Sequence, residues 1–439
     1  AEEVENTGDL AIEADVTAAQ ITNRESASLV LGVVDSDVTT AVAAPVDNEG
    51  RLDIVGRTSI ERVANAGTLT VKAETEVAEE VENTGDLAIE ADVTAAQITN
   101  RESASLVLGV VDSDVATAVA APVDNEGLLN VVGKVEFADT VENKNQVSIA
   151  QQADTRFAET VTNEGLLDIA GKAEFVKAVD NKNTGMVSVA EQADAKFNET
   201  VANAGTLAIA GKAEFVRAVE NTGEVHVADN ALVAFKEAVN WNGPYYSGVG
   251  TNIHTDLNIG ENGCLIGPVG AKWEVSNDFA NQSKFPELWD TRNCELVFVQ
   301  DQVLGNDHNF SIMGEDKGAT MAGFDKNFAW GKFTIGDGQI VYLVDGDDVS
   351  GGALYVGEIQ GLKFGSPIIT NIFSEDGINI YYDPTLAAND YLEGQRYSLS
   401  TVLGEPTGYL LPTPVPASVL LLGSGLLGLG LLGWRRKRN

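Results

Sequence analysis

The sequence predicts an all-β protein. A parallel β-helix (β-solenoid) with coils of about 17–22 residues occupies 1–243, a β-rich C-terminal or capping region occupies 244–411, and a single transmembrane helix lies within 412–439. Three observations predict this. A short phrase recurs through the first half of the chain, inward and outward residues alternate strictly within it, and the C-terminus carries an uncharged apolar run closed by basic residues.

The recurrence is direct. Residues 1–50 return at 78–127 with an offset of 77 and one mismatch, Thr39 against Ala116. A shorter unit, headed by an apolar residue, any residue and Asn, repeats every 17–22 residues, or 25 where "DSDVTTAVAAP" and its copy add a surface loop. Its later heads carry Asn125, Asn143, Asn163, Asn181, Asn203 and Asn221. Within one unit, Val201, Asn203, Gly205, Leu207, Ile209, Gly211, Ala213 and Phe215 stand at every second position, the period of a strand with one buried face. A unit this short cannot bury its own inner face, so units must stack. Gly and Asn are expected at the corners, where φ becomes positive. Twelve coil intervals at about 4.8 Å imply a rod about 60 Å long.

A parallel stack places equivalent outward residues about 4.8 Å apart, so like charges should avoid each other. Aligned on an inward column of Phe137, Phe157, Phe175, Phe197, Phe215 and Phe235, the residue three before reads Lys134, Asp154, Lys172, Asp194, Lys212, Leu232. The residue one before reads Glu136, Arg156, Glu174, Lys196, Glu214, Ala234. Both columns alternate in sign until the last coil. The Asn column reads as a ladder of side-chain amides and the Phe column as stacked core, in preference to rows of ligands.

After "WNGPYYSGVG" the repeat dissolves, and alternating segments such as "CELVFVQD" and "KFTIGDGQIVYLVDG" predict further β-structure, either irregular final coils or a cap on the open solenoid end. Cys264 and Cys294 leave two readings open, one disulfide closing a moderate loop or two buried thiols. At the C-terminus a Pro-rich spacer precedes the apolar run 417–434 and the cluster Arg435, Arg436, Lys437 and Arg438. The run is just long enough to span a bilayer, and the basic end should stay cytoplasmic with residues 1–411 outside. The chain begins at Ala1 inside a repeat and reads as a mature or truncated sequence with an export signal upstream.

The spelling NxGxLxIxG over 1–243 resembles the β-solenoid repeats of filamentous haemagglutinin and autotransporter passengers, a group that includes adhesins, matrix proteins and some enzymes. The tail resembles the PEP-CTERM sorting signal of Gram-negative bacteria, with Pro414, Val415, Pro416, Ala417 and Ser418 in the motif. Val415 departs from the family's usual Glu. The resemblance implies an exosortase-type processing partner, an inner-membrane-anchored precursor, and a cell-surface or extracellular destination in exopolysaccharide or biofilm settings.

A net charge of -38 excludes nucleic acid as a partner, because phosphate attraction needs clustered Lys and Arg. His226, His254 and His308 lack metal-ligand spacing, and no nucleophile elbow, phosphate loop or other catalytic constellation is recognisable. No cofactor is expected. Asp345, Asp347 and Asp348 in "DGDDVSGG", and the segment "GEDKG" at 314–318, offer oxygens that would suit Ca2+, though acidic turns are the preferred reading. The expectation is therefore a non-enzymatic, exported structural or adhesive protein whose partners are the membrane before processing, then exopolysaccharide or further copies of itself. The alternative is a polysaccharide-binding or polysaccharide-degrading β-helix enzyme.

Overall fold

Alternation at every second residue becomes, in the computed structural model, a coil of three short strands. The structure describes residues 3–34, 36–300, 305–346, 352–374, 377–401 and 407–413. These divide into two compact units, Ala1–His254 and Thr255–Asn439. In the first, one coil runs through an Asn strand (Val201–Asn203), a Leu strand (Thr206–Ile209) and a Phe strand (Lys212–Phe215). All eight alternating residues from Val201 to Phe215 are buried. Every strand pairs in parallel with its equivalent one coil away, as in Val201↔Val219, Leu207↔Val225 and Phe215↔Phe235. The unit therefore has three walls, named here for those strands. In the earlier coils the Phe and Asn strands merge into single bulged strands such as Thr40–Asn48 and Thr75–Asn83.

Two interior columns hold the register. Each ladder Asn from Asn6 to Asn203 donates its amide N–H to the amide oxygen of the next Asn, at 2.6–2.8 Å. The same nitrogen also reaches a Leu-strand carbonyl of the next coil, as Asn163 does to Met186 at 3.0 Å. A buried amide is thus satisfied only when the coil above is in register. The Phe rings stack at 4.7–4.9 Å, their planes within 1–3° until the last pair opens to 14°. Towards the N-terminus the column continues as Val119 and Val93.

The corner glycines differ from expectation. Gly205 does not have positive φ. A Cβ there would lie 2.1 Å from the Gly185 carbonyl oxygen and 2.4 Å from that of Lys182. At Gly205 glycine is required because the neighbouring corner lies too close for a side chain, and not because the backbone turns left-handed; Asn145 and Ala104 hold the same corner position in other coils. Positive φ occurs elsewhere, as at Asn230 and at Gly32 and Gly109, which open the two copies of the long loop.

Residues 244–254 complete one more coil of the first unit with changed filling. Trp241 takes the ladder position after Asn221, and His254 takes the stack position after Phe235, 4.8 Å away and 9° from parallel. The solenoid unit thus extends eleven residues beyond 243, the boundary expected from the repeat.

The sequence left two forms open for the second unit, irregular final coils or a cap, and it consists mainly of further parallel coils. One row of strands runs Ala271–Val275, Thr291–Phe298, Trp330–Ile335, Ala353–Gln360, Asn379–Tyr382 and Tyr409–Pro412. A second runs Leu257–Ile259, Phe279–Asn281, Asp307–Ile312, Ile340–Asp345, Ile368–Ser374 and Tyr397–Ser400. Its coils are longer: Phe279 aligns with Phe310, Phe310 with Leu343 and Leu343 with Ser374. Aromatic packing such as Trp273 against Trp330 (5.6 Å, edge on) replaces the regular columns. The last two strands pair antiparallel, Tyr397↔Leu410 and Ser398↔Tyr409, which covers part of the terminal edge.

The sorting-signal residues Pro414, Val415, Pro416, Ala417, Ser418, Arg435, Arg436, Lys437 and Arg438, and the expected transmembrane helix 417–434, lie outside the described residues. Among the described residues no helix is long and apolar enough to cross a membrane.

Candidate functional site

Outward chemistry differs sharply from wall to wall. In the five coils from Leu128 to Phe215, the Phe wall presents Lys134/Glu136, Asp154/Arg156, Lys172/Glu174, Asp194/Lys196 and Lys212/Glu214. The register places opposite charges beside each other within and between rows. Ion pairs form along it, Arg156 to Glu136 at 2.5 Å, Lys172 to Asp154 at 3.2 Å and Lys212 to Asp194 at 2.9 Å. The hydrogen bond to Asp194, then its charge, holds the Lys212 ammonium above its ordinary pKa. A shallow recess of about 220 Å3 lies on this wall between Lys172, Glu174, Asp194, Lys196, Lys212 and Glu214.

The Leu wall of the same coils presents Leu128/Asn130, Gln146/Ser148, Leu166/Asp168, Met186/Ser188 and Thr206/Ala208. Asp168 is the only charge among them. The Asn wall presents one outward residue per strand, reading Asp124, Glu142, Thr162, Asp180, Ala202 and Glu220.

The Leu wall ends in a groove of about 370 Å3. Small residues (Ser188, Ala190, Ala208 and Ala210) form its floor, and the taller His226 and Tyr246 stand at one side with Asp229. Those two rings stack at 4.6 Å, and the His226 imidazole lies 3.0 Å from Glu224. His226 faces outward, with its side chain 44% exposed. No Lys or Arg lines the groove, so it suits neutral or cationic groups, which its imidazole, phenol and carboxylate can hydrogen-bond.

The other histidines serve the interior. His254 is fully buried beside Phe235, Trp241 and Tyr245, and neither ring nitrogen has a hydrogen-bond partner. Burial pushes its pKa down to about 3. His308 is tied to the Asn277 carbonyl at 2.7 Å and to Gln339 at 2.9 Å.

Cys264 and Cys294 are both buried and free, so the disulfide reading gives way to two thiols. The Cys294 thiol donates to the Gly267 carbonyl at 3.2 Å. Burial, with the nearby Asp290 charge, pushes its pKa up to about 12, and burial also raises that of Cys264.

The segment "GEDKG" acts as a clasp. Asp316, in "GEDKG", accepts hydrogen bonds from Tyr381 (2.9 Å), Asn379 (3.0 Å) and the Gly318 backbone (2.8 Å), fastening its loop to a coil. Asp345 closes the strand Ile340–Asp345, while Asp347 and Asp348 lie outside the described residues. Among the described residues no three His, Cys, Asp or Glu side chains are grouped to hold a metal ion.

Sequence reasoning missed a second alternating column, in the 255–439 unit. Lys272, Glu295, Lys332 and Glu358 align coil on coil. Burial alone would raise the Glu295 pKa, but hydrogen bonds from Thr334 and Lys332 and the charges of Lys332 and Lys272 together hold it below its ordinary value. Unequal loops between these strands hide the column from any fixed-period search.

Comparison with protein-family models, with curated proteins and with solved structures finds no match for this chain.

Proposed function

We propose that this chain is a structural or adhesive solenoid, exported and sorted through its C-terminal segment to the cell surface or extracellular matrix. The observation that carries the reading is the unbroken amide ladder from Asn6 to Asn221. It makes the coils mechanically equivalent, which suits a spacer whose length matters more than any single coil. The near-identical duplication supports this, because a spacer tolerates insertion of whole coils. The basic cluster after the apolar run supports membrane-directed sorting, with an exosortase-type enzyme as processing partner.

Deleting residues 1–77 tests the structural reading. The deletion removes four coils, and the remaining chain should fold cooperatively, be about 19 Å shorter by small-angle scattering, and keep its surface display. Failure of the remainder to fold would refute coil equivalence. For export, protease accessibility of a tag inserted in the long loop of intact cells decides the matter, and a protected tag would refute surface display.

Polysaccharide binding or cleavage is the second reading, and its support is the groove beside His226 and Tyr246. A glycan screen of the parent chain and Tyr246→Ala should show binding that the substitution removes. Binding indifferent to Tyr246 would refute this site.

A further inference from the structure

We infer that the groove beside His226 and Tyr246 takes an amino sugar, its ring lying on the His226 imidazole and its ammonium against Asp229. The inference rests on the polysaccharide reading of that groove and names the class of glycan.

Ring geometry carries the argument first. His226 and Tyr246 stand in one outward column of the Leu wall, and their rings stack at 4.6 Å and within 11° of parallel. The same column continues through Ala208, Ser188 and Asp168, one coil apart each. Tyr246 therefore covers one face of the imidazole. The other face fronts Ala208, where a methyl stands in place of a ring, and beyond it the short Ser188. Two coil heights of the column, about 10 Å, are thus open to a ligand. Glu224 lies 3.0 Å from the imidazole edge, so the hydrogen bond and the stack together keep the free face presented. An aromatic face carries the negative side of the ring quadrupole. It attracts the C–H face of a sugar, whose bonds are polarised by the ring oxygen and, in an amino sugar, by a neighbouring ammonium.

Charge then selects the substituent. No Lys or Arg occurs in the Leu strands from Gln146–Ile149 to Pro244–Ser247. Asp229 lines the groove and is held in place, because its Oδ1 accepts the Val249 N–H at 2.7 Å. The Asn230 N–H bonds the Val249 carbonyl at 2.7 Å and braces the same turn. A carboxylate fixed before binding spares the cost of ordering it. An anionic glycan would be repelled by Asp229 and Glu224, and a neutral one would leave the carboxylate without an opposite charge. A lysine side chain would reach Asp229 but leave the place beside the imidazole unfilled. At about 370 Å3 the groove lies near the lower end of the ~300–1,000 Å3 of ligand sites, so it suits a residue or two of a chain.

The test compares three tetramers on the full chain by calorimetric titration: β-1,4-linked glucosamine, its fully N-acetylated form, and cellotetraose. Mildly acidic buffer keeps the amines charged, and physiological ionic strength screens diffuse attraction to the net charge of -38. The glucosamine tetramer should bind at one site, about threefold or more tighter than the other two. Ala208→Tyr, which extends the ring stack into the open place, should abolish binding. Asp229→Asn should erase the preference for the amine while leaving weak binding of all three. Glu142→Gln, the same change of charge on the Asn wall, should alter nothing. Equal binding of the three tetramers, blocked by Ala208→Tyr, overturns the amino-sugar inference and leaves the polysaccharide reading standing. Binding of none overturns both. Binding indifferent to Ala208→Tyr, or matched by tetralysine, overturns the inference in favour of diffuse attraction or a basic peptide. If Ala208→Tyr fails to fold, the comparison of Asp229→Asn with Glu142→Gln still decides.

Discussion

Replacing His254 by Phe should stabilise the chain, and the gain should grow as pH falls. His254 occupies the place of a Phe in the stack, fully buried, with both ring nitrogens lacking a hydrogen-bond partner. Burial holds its folded-state pKa near 3, against an ordinary value of 6.5 expected in the unfolded chain. Below 6.5 the unfolded state takes up the proton while the folded state refuses it. The stability associated with the neutral ring is therefore full above pH 6.5 and is lost progressively as pH falls towards 3. With about 1.4 kcal/mol per unit, the loss between pH 7 and pH 4 is about 3 kcal/mol. Urea unfolding of the parent chain and His254→Phe at both pH values isolates this group, since other acid effects appear in both. At pH 7 the variant should already be the more stable, because a ring without polar atoms replaces two unsatisfied nitrogens. The gap should then widen by about 3 kcal/mol at pH 4. A gap that stays constant with pH would refute the reasoning, for it would mean that the folded state admits the proton.

Other expectations follow from the same interior. Asn163→Ala should cost about 3–5 kcal/mol in denaturant unfolding, because it leaves the Asn143 amide nitrogen and the Asn181 amide oxygen without their ladder partner; a cost below 1 kcal/mol would mean the ladder is ornamental. Gly205→Ala should lower the melting temperature, despite the usual gain in unfolded-state rigidity, because its Cβ meets backbone oxygen at 2.1 Å. The thiols of Cys264 and Cys294 should resist Ellman's reagent in the native chain and react fully in urea, as buried thiols with raised pKa must. Rapid native labelling of both would contradict their placement.

Much of the first unit was legible because its coils repeat. Inward alternation, the Asn column, the Phe column and the sign changes of Lys172 and Asp194 are local patterns copied at nearly fixed spacing, and parallel stacking converts spacing into contact. Legibility ended where copying ended. His254 follows Phe235 by a coil of ordinary length, and "TNIH" alternates as a strand should, yet nothing local says that a histidine continues a phenylalanine stack. Cys264 and Cys294 illustrate the same limit, since chain separation left pairing and burial equally open. The column Lys272, Glu295, Lys332, Glu358 obeys the rule of the first unit, but its loops vary in length, so only the folded register brings its members together.

By itself, then, the sequence determined that this chain stacks short strands in parallel, which residues face inward, and where like charges are kept apart. These follow from period-two burial and from repetition, both properties of neighbouring residues along the chain. Tertiary structure decided that the corner glycines answer to contact between coils and not to their own φ. It also decided that the thiols are free, and that over the five coils from Leu128 to Phe215 the charged and nearly uncharged outward columns occupy separate walls. Those are relations between residues a coil or more apart in sequence, and they exist only once the coils lie on one another.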